Sequence, residues 1–282
     1  MAEKEIQFRK KRELGDIITD SFEFLKQEYN PVSKLVFTYV FPFVLIYGIL
    51  QVYVQMRVMV NIDFTDQETM LANIGPIYMN VFLSSLFGLF VQSLLPGTYY
   101  SYIEIYVKKG KGNFELSEIT PLLFSNGLLA LGANLVLFIA VMLGVIMCIL
   151  PGLYIANTLS IVVIILIFEK KRLGDALTRS WNLVNSQWWN TLLINLLGLL
   201  IVGAVSFVIS IPSMLAGIGS NIFSLQETAT TEYPDWYWVL IGTATIVSTI
   251  FYVIPYTFLA FQYFNLDERT KISQPPVQHL QD

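Results

Sequence analysis

Residue types that catalyse reactions are sparse in this chain, and the few present are scattered. The one histidine, His279, lies in a tail containing Pro and Gln, and the one cysteine, Cys148, lies in an apolar stretch. This inventory excludes a histidine-based nucleophilic triad, a His-cluster metal site and an intramolecular disulfide. Neither a P-loop nor a dinucleotide-binding fingerprint occurs. The sequence therefore predicts no catalytic residue, no cofactor-binding residue and no metal ligand.

Glu104 is the carboxylate with the strongest claim to chemistry, because it lies in an apolar and aromatic stretch over 99–107. An ionisable residue at membrane depth is normally a functional candidate. Lys108 follows four residues later, a spacing that forms ion pairs on a helix and favours a structural role. We expect a membrane-embedded charge at Glu104, and a membrane enzyme that uses it is the least favoured hypothesis.

The composition predicts the elements that carry these residues. Hydrophobic residues make up 55% of the chain and charged residues only 13%, about half the usual charged share. Runs without Asp, Glu, Lys or Arg cover 35–56, 69–103, 119–168, 180–226 and 236–266. Because a bilayer core needs roughly 20 apolar residues per helix, we predict an all-α integral membrane protein with about six transmembrane helices. We assign these helices to 33–57, 77–107, 128–149, 152–168, 190–212 and 236–264.

Two of the charge-free runs need interpretation. The run 119–168 is long enough for two spans, and Leu150-Pro151-Gly152 near its middle predicts a tight turn between them. The run 180–226 is interpreted as one span centred on 191–210, because its flanks are rich in Trp and Asn before the span and in Pro and Gly after it. Such flanks suit an interface and a loop better than hydrocarbon.

Nearly all basic residues fall on one side of the predicted membrane, and Arg57 is the one Lys or Arg near the other side. The loops on that other side carry acidic residues: Asp63, Asp66, Glu68, Glu227, Glu232 and Asp235. By the positive-inside rule, this multi-pass chain has both termini in the cytoplasm. The charged N-terminal segment lacks a continuous apolar core, so we expect no cleavable signal peptide.

Two amphipathic helices are predicted at the cytoplasmic membrane interface, one before the first span and one before the fifth. Each contains a Leu-Gly-Asp sequence. We expect Asp16 and Asp175 in these sequences to accept hydrogen bonds from backbone amides of a first helical turn. The candidate surface for lipid or for a partner protein consists of Leu14, Asp16, Phe22, Leu173, Asp175 and Trp181.

The two amphipathic helices match at a constant offset of 159 residues, with six identities in the eleven positions of 11–21. The same offset aligns Pro96-Gly97-Thr98-Tyr99 with Pro255-Tyr256-Thr257-Phe258. We predict a duplicated module of interfacial helix plus transmembrane hairpin, related by an axis along the membrane normal. The predicted parts of a single membrane domain, 1–282, are repeat 1 at 11–107, a divergent middle hairpin at 114–168, repeat 2 at 170–266 and a flexible cytoplasmic tail at 267–282.

The middle hairpin begins like a weaker third copy of the module. Its segment Glu115-Leu116-Ser117-Glu118-Ile119 resembles Glu13-Leu14-Gly15-Asp16-Ile17. Within the two stronger copies, Pro96 and Pro255 fall inside predicted spans, where each removes a backbone hydrogen bond and introduces a kink. A shared packing bend is favoured over a moving gate.

The paired Leu-Gly-Asp…Ser-aromatic segments, at 14–22 and 173–181, resemble those of the bacterial glycerophosphodiester phosphodiesterase membrane-domain family. The resemblance covers nearly the whole chain and implies a membrane module in the bacterial cytoplasmic (inner) membrane. In phosphodiesterases of this kind a separate soluble barrel carries the chemistry. Because this chain lacks the His-Arg-Gly type catalytic signature of that barrel, the resemblance implies no phosphodiesterase activity.

We therefore expect a non-catalytic integral membrane subunit or scaffold of a multiprotein bacterial envelope complex, since the loops are short and no substrate chemistry is evident. A small transporter or lipid-handling membrane protein is the alternative, supported by the parallel repeats and the proline-containing spans. The expected partners are membrane lipids and other membrane protein subunits. Nucleic acid is not expected because the chain presents no basic face, and no cofactor is expected.

Overall fold

The structure is a computed structural model that describes residues 6–61, 67–223 and 234–273. Every regular element in these ranges is a helix. In chain order the helices are α1 (Leu14–Gln27), α2 (Tyr29–Tyr39), α3 (Phe41–Asn61), α4 (Gln67–Lys109), a short 3-10 helix (Leu116–Glu118), α5 (Thr120–Met147), α6 (Ile149–Thr158), α7 (Val162–Glu169), α8 (Leu173–Ser186), α9 (Trp188–Phe223), α10 (Asp235–Phe251) and α11 (Val253–Ser273). The predicted fold class, an all-α membrane protein, is confirmed.

Five segments are long and apolar enough to cross a membrane: Ile74–Lys109, Thr120–Met147, Ile149–Glu169, Trp188–Ala216 and Asp235–Lys271. Helices α2 and α3 meet at a bend of 57° and together would form a sixth. Helix α9 runs unbroken through most of the run 180–226, which therefore holds one such helix as predicted. The acidic loop residues Asp63, Asp66, Glu227 and Glu232, together with His279, lie outside the described residues.

Contacts within the chain divide it into two compact units, whereas the sequence predicted a single domain. The described residues of the first unit lie within 1–35, 94–198 and 253–282, and those of the second lie within 36–93 and 199–252. Helices α4 and α9 are long, with 43 and 36 residues, and each contributes residues to both units. A crossing needs only roughly 20 residues, so the two ends of such a long helix can pack with different partners.

In the second unit, α3 packs closely against α10. A Cβ atom added at Gly48 would lie 2.7 Å from a side-chain carbon of Ile246, so a larger residue there would displace the Ile246 side chain. The Gln51 amide donates hydrogen bonds to Ser84 (3.0 Å) and to Tyr47 (2.8 Å). Interhelical hydrogen bonds of this kind are common in membrane bundles, where an unsatisfied amide would face hydrocarbon. The exposed side chains of this unit include many large apolar residues, as expected of a lipid-facing surface.

The turn of the middle hairpin lies earlier than the sequence predicted. Helix α5 ends at Met147 and α6 begins at Ile149, so the break is at Cys148 and Pro151 lies in the first turn of α6. Proline is tolerated there because the amide that it lacks would have no partner within the helix. The two helices then pack tightly, since a Cβ atom added at Gly144 would lie 2.8 Å from the Gly152 Cα.

The two predicted kink residues have different environments. Helix α4 continues through Pro96, whereas Pro255 lies in the first turn of α11, just after the break at Tyr252. Each proline motif borders a close helix contact. A Cβ atom added at Gly97 would lie 2.8 Å from the Gly127 Cα, and one added at Gly198 would lie 2.6 Å from the Pro255 Cβ.

The end of the chain is more ordered than predicted over its first residues. Helix α11 extends to Ser273, seven residues into the expected flexible tail at 267–282. Asp267 is buried, and its carboxylate is held by Arg179 at 2.7 Å and Lys271 at 2.7 Å. These ion pairs on the last turns of α11 explain why the helix continues. The remainder, 274–282, lies outside the described residues.

Candidate functional site

The two predicted amphipathic helices have matching bounds. Helices α1 and α8 each contain 14 residues, and their first and last residues are both separated by the offset of 159. The buried residues follow the same offset: Ile17, Ser21 and Phe24 in α1, and Ala176, Ser180 and Leu183 in α8, with Val184 in addition. One face of each helix is therefore packed into the first unit at equivalent positions.

The opposite faces also correspond. Phe22 and Trp181, which occupy equivalent positions, are each 42% exposed. Asp16 and Asp175 are exposed, while Leu14 and Leu173 are half-buried. Each helix thus presents an aromatic side chain and a carboxylate away from the interior. Phe22 retains an edge contact with Phe258 of α11, with ring centroids 5.5 Å apart.

Asp16 also stabilises the beginning of α1, because its carboxylate accepts a hydrogen bond from the Glu13 backbone amide at 3.4 Å. The segment predicted as a weaker third copy has the same arrangement, in which Glu118 accepts from the Glu115 amide at 3.2 Å. Hydrogen bonds from the Lys109 ammonium group and from that amide lower the pKa of Glu118. Asp175 lies in the first turn of α8, where a carboxylate interacts favourably with the helix dipole.

Both helices pack against α11, which contributes the polar groups that hold them. The Arg12 backbone amide donates to the Asn265 side chain at 2.8 Å, and Arg269 donates to Glu13 at 2.9 Å. On the other helix, the Arg179 guanidinium donates to Asp267 at 2.7 Å. The two bonds from Arg269 and Arg179 to carboxylates are charge-assisted, and such bonds are stronger and more directional than neutral ones. The orientation of α1 and α8 is therefore fixed by specific contacts with α11.

Glu104 is 3% exposed and is paired with two lysines. The Nζ of Lys108 lies 2.6 Å from one carboxylate oxygen, and the Nζ of Lys170 lies 3.0 Å from the other. The pair with Lys108 was predicted from the spacing, whereas Lys170 was missed. Lys170 follows α7 directly and has a left-handed backbone conformation, with φ 51°. Glu104 therefore joins α4 to the segment that leads into α8.

A second buried carboxylate, Glu28, was not predicted from the sequence. It lies directly after α1, and it accepts a hydrogen bond from the Tyr102 hydroxyl of α4. The Nζ of Lys111 lies 3.8 Å from its other oxygen. A Glu at a helix end looks like a solvated residue in sequence, and its burial depends on a partner 74 residues away in α4, which no local pattern indicates.

An open groove runs between α6, α8 and the start of α9, with a volume of about 1010 Å³. We call it the aromatic groove. It is lined by Leu150, Pro151, Leu153, Tyr154, Ile155, Trp181, Asn185, Trp188 and Trp189. The Tyr154 ring stacks on Trp188 with centroids 5.5 Å apart, and its hydroxyl donates to the Asn185 side chain at 2.9 Å. Aromatic rings with one polar end are typical of the membrane–water interface.

Among the described residues, no group of three or more His, Cys, Asp or Glu side chains could hold a metal ion. The buried carboxylates that are described lie against cations or a hydroxyl, an arrangement that orients helices. Fold and site together define the class as a multi-pass, all-α membrane protein with two equivalent amphipathic helices. Comparisons with protein-family models, with characterised proteins and with solved structures found no match.

Proposed function

We propose that this chain is a non-catalytic integral membrane subunit or scaffold that binds partner proteins through the outer faces of α1 and α8. The observation that carries the proposal is the equivalence of these faces, with Phe22 and Trp181 exposed to the same extent at positions 159 residues apart. An exposed aromatic side chain beside an exposed carboxylate suits recognition by a protein, because aromatic residues are enriched in the cores of interfaces. Two copies of one surface suit a partner with two sites, or two copies of a partner.

The proposed setting is the bacterial cytoplasmic (inner) membrane, with both termini in the cytoplasm. The support is the segregation of Lys and Arg to the ends of the spans where α1 and α8 begin. The proposed partners are membrane lipids and other membrane subunits of an envelope complex. Membership of the glycerophosphodiester phosphodiesterase membrane-domain family and the duplicated module remain part of this proposal, without any phosphodiesterase activity.

Affinity purification from native membranes tests the proposal. The full chain should retain at least one partner at a fixed stoichiometry, and replacing Phe22→Ala together with Trp181→Ala should release it. Phe124→Ala is the matched control, because Phe124 is a large exposed aromatic residue on α5. Recovery of the chain alone, or equal loss of the partner in the control, would refute the proposed role of these faces.

A second candidate function, lipid handling, is favoured by one observation, the aromatic groove. Its volume of about 1010 Å³ and its apolar, Trp-rich lining suit an acyl chain with its polar end near Asn185. Native mass spectrometry of the detergent-purified chain should then detect a stoichiometric lipid that is lost with Tyr154→Ala and Trp188→Ala. Retention of the same lipid by this double variant would count against the groove, and Trp236→Ala serves as the control for an exposed Trp elsewhere.

A further inference from the structure

The α6–α7 segment lies beside α8 in the opposite direction. Ser180, in the middle of α8, donates a hydrogen bond to the Thr158 carbonyl at 2.8 Å. Further along α8, Asn185 accepts from the Tyr154 hydroxyl at 2.9 Å. Contacts that move forward along α8 and backward along α6 define an antiparallel pair. Any depth reached by α6 in the membrane is therefore shared by α8.

Helix α8 has an exposed face that does not suit hydrocarbon. Apart from Trp181, this face carries small or polar residues: Gly174, Asp175, Thr178, Asn182, Asn185 and Ser186. Polar side chains and a carboxylate facing lipid would each be costly at the bilayer centre, so a helix of this kind lies at the membrane–water interface. Since α6 lies against α8, it cannot run through the bilayer while α8 remains at the interface.

The contacts of α6 with α9 locate the tip of the middle hairpin. Near the end of α6, the Asn157 amide donates to the Trp188 carbonyl at 3.1 Å, and Asn157 accepts from Asn195 at 2.9 Å. At the beginning of α6, Leu150 lines the aromatic groove together with Trp188 and Trp189. Asn157 thus bridges the first residue of α9 and its second turn, whereas Leu150 near the tip shares the groove only with the first two residues of α9. The tip lies no deeper than the beginning of α9.

The outward face of the hairpin is nonetheless strongly apolar. No charged residue occurs between 119 and 168, and Met147 at the tip is 83% exposed. Further large apolar side chains exposed on the hairpin are Phe138, Ile139, Leu143, Ile146, Ile149 and Leu150. An apolar surface of this extent requires a cover other than water.

Basic residues flank both ends of the hairpin. Lys108 and Lys109 precede it, and Lys170 and Lys171 follow it. Each is ion-paired with a glutamate, two of them with the buried Glu104, and all four side chains remain partly exposed. Such clusters attract the anionic headgroups of the cytoplasmic leaflet. Charge complementarity at the flanks and an apolar face between them therefore fit a lipid monolayer better than a protein surface.

We propose that α5, α6 and α7 form a hairpin that enters the cytoplasmic leaflet and returns to the same side, and that its outward face binds the acyl chains of that leaflet. Length and composition admit a crossing, but the contacts with α8 and α9 do not. Among the described residues, four crossings then remain, formed by the α2–α3 pair, α4, α9 and the α10–α11 pair. This proposal rests on the cytoplasmic orientation proposed above and is independent of the proposed partner binding.

Cys148, the sole cysteine, is exposed at the tip and reports on the hairpin directly. The experiment treats the full chain in right-side-out membrane vesicles with a membrane-impermeant maleimide. Two controls carry Cys148→Ser with one new cysteine each, Asp235→Cys at the start of α10 and Asp175→Cys on α8, both at exposed positions. We expect Asp235→Cys to react and Cys148 to remain unmodified. Reaction of Cys148 at a rate similar to that of Asp235→Cys would overturn the proposal.

A nitroxide attached to Cys148 then tests the occupant and the leaflet. We expect strong relaxation by oxygen, which dissolves in hydrocarbon, weak relaxation by a water-soluble nickel chelate, and a depth in the same leaflet as the Asp175→Cys label. A depth in the opposite leaflet would contradict the non-crossing hairpin. Protection from both relaxation agents would reveal a protein neighbour and would contradict lipid as the occupant.

Discussion

Removing both lysines that face Glu104 tests whether this carboxylate is held in the interior by its ion pairs. Glu104 is 3% exposed, and the two ammonium groups lie 2.6 and 3.0 Å from its oxygens. In a variant with Lys108→Met and Lys170→Met the carboxylate has lost both of these partners but stays buried. Burying a charge that has no partner lowers the free energy of unfolding strongly. Burying the neutral amide of Glu104→Gln lowers it much less.

The magnitude follows from the exposure of the lysines. Breaking a fully buried ion pair by removing one partner costs about 3–5 kcal/mol. Here the Lys108 and Lys170 side chains are 65% and 51% exposed, so water already screens the pairs on one side. We therefore reduce the expected loss in the free energy of unfolding to about 1–2 kcal/mol. Adding Glu104→Gln to the double variant should restore at least half of this loss, because it removes the buried charge.

The assay is equilibrium unfolding in mixed micelles with increasing denaturing detergent, applied to the wild type, the double variant, Glu104→Gln and the triple variant. Lys26→Met with Lys34→Met is the control, because both lysines are exposed on neighbouring helices of the same unit. A double variant as stable as the control would show that the pairs contribute nothing. A triple variant no more stable than the double variant would show that the loss arises from lysine packing.

Two further predictions concern close packing and pH. Gly97→Ala should lower the free energy of unfolding by about 1–3 kcal/mol in the same assay, because its Cβ would lie 2.8 Å from the Gly127 Cα, whereas Gly132→Ala on α5 should cause no loss since no atom lies within 4 Å. Carboxyl NMR titration should find the Glu118 pKa below its ordinary value and raised towards it by Lys109→Met, since the lysine hydrogen bond is the largest cause of the shift. Because the folded-state pKa is the lower one, the contribution of Glu118 to stability is complete above its ordinary pKa and is lost as the pH falls through the lowered pKa. An unchanged Glu118 pKa in the variant would contradict this cause.

Local periodicity was sufficient to predict α1 and α8. The apolar residues recur at helical spacing, Leu14 and Leu173 begin the two helices as the Leu-Gly-Asp sequences indicated, and the buried positions match at one offset. These properties depend on residues within a few turns of each other, which a sequence pattern contains. The ion pair between Glu104 and Lys108 was predictable for the same reason.

Contacts between distant segments were not predictable. Lys170 is 66 residues from Glu104, and only the packing of α4 against the end of α7 brings their side chains together. The turn at Cys148 was missed for a different reason. Pro and Gly mark both turns and first turns of helices, so Leu150-Pro151-Gly152 could not by itself distinguish a turn from the beginning of α6.

The distribution of Lys and Arg along the sequence does not by itself determine the number of membrane crossings. A hairpin that crosses twice and a hairpin that returns within one leaflet both leave their two flanking segments on the same side. Lys108, Lys109, Lys170 and Lys171 therefore satisfy the positive-inside rule in either arrangement, and the apolar length of 119–168 admits both. In our proposal the polar outer face of α8 distinguishes them, because a helix packed along α6 must share its depth. The decisive information thus lies in a neighbouring helix, outside the apolar run whose topology is in question.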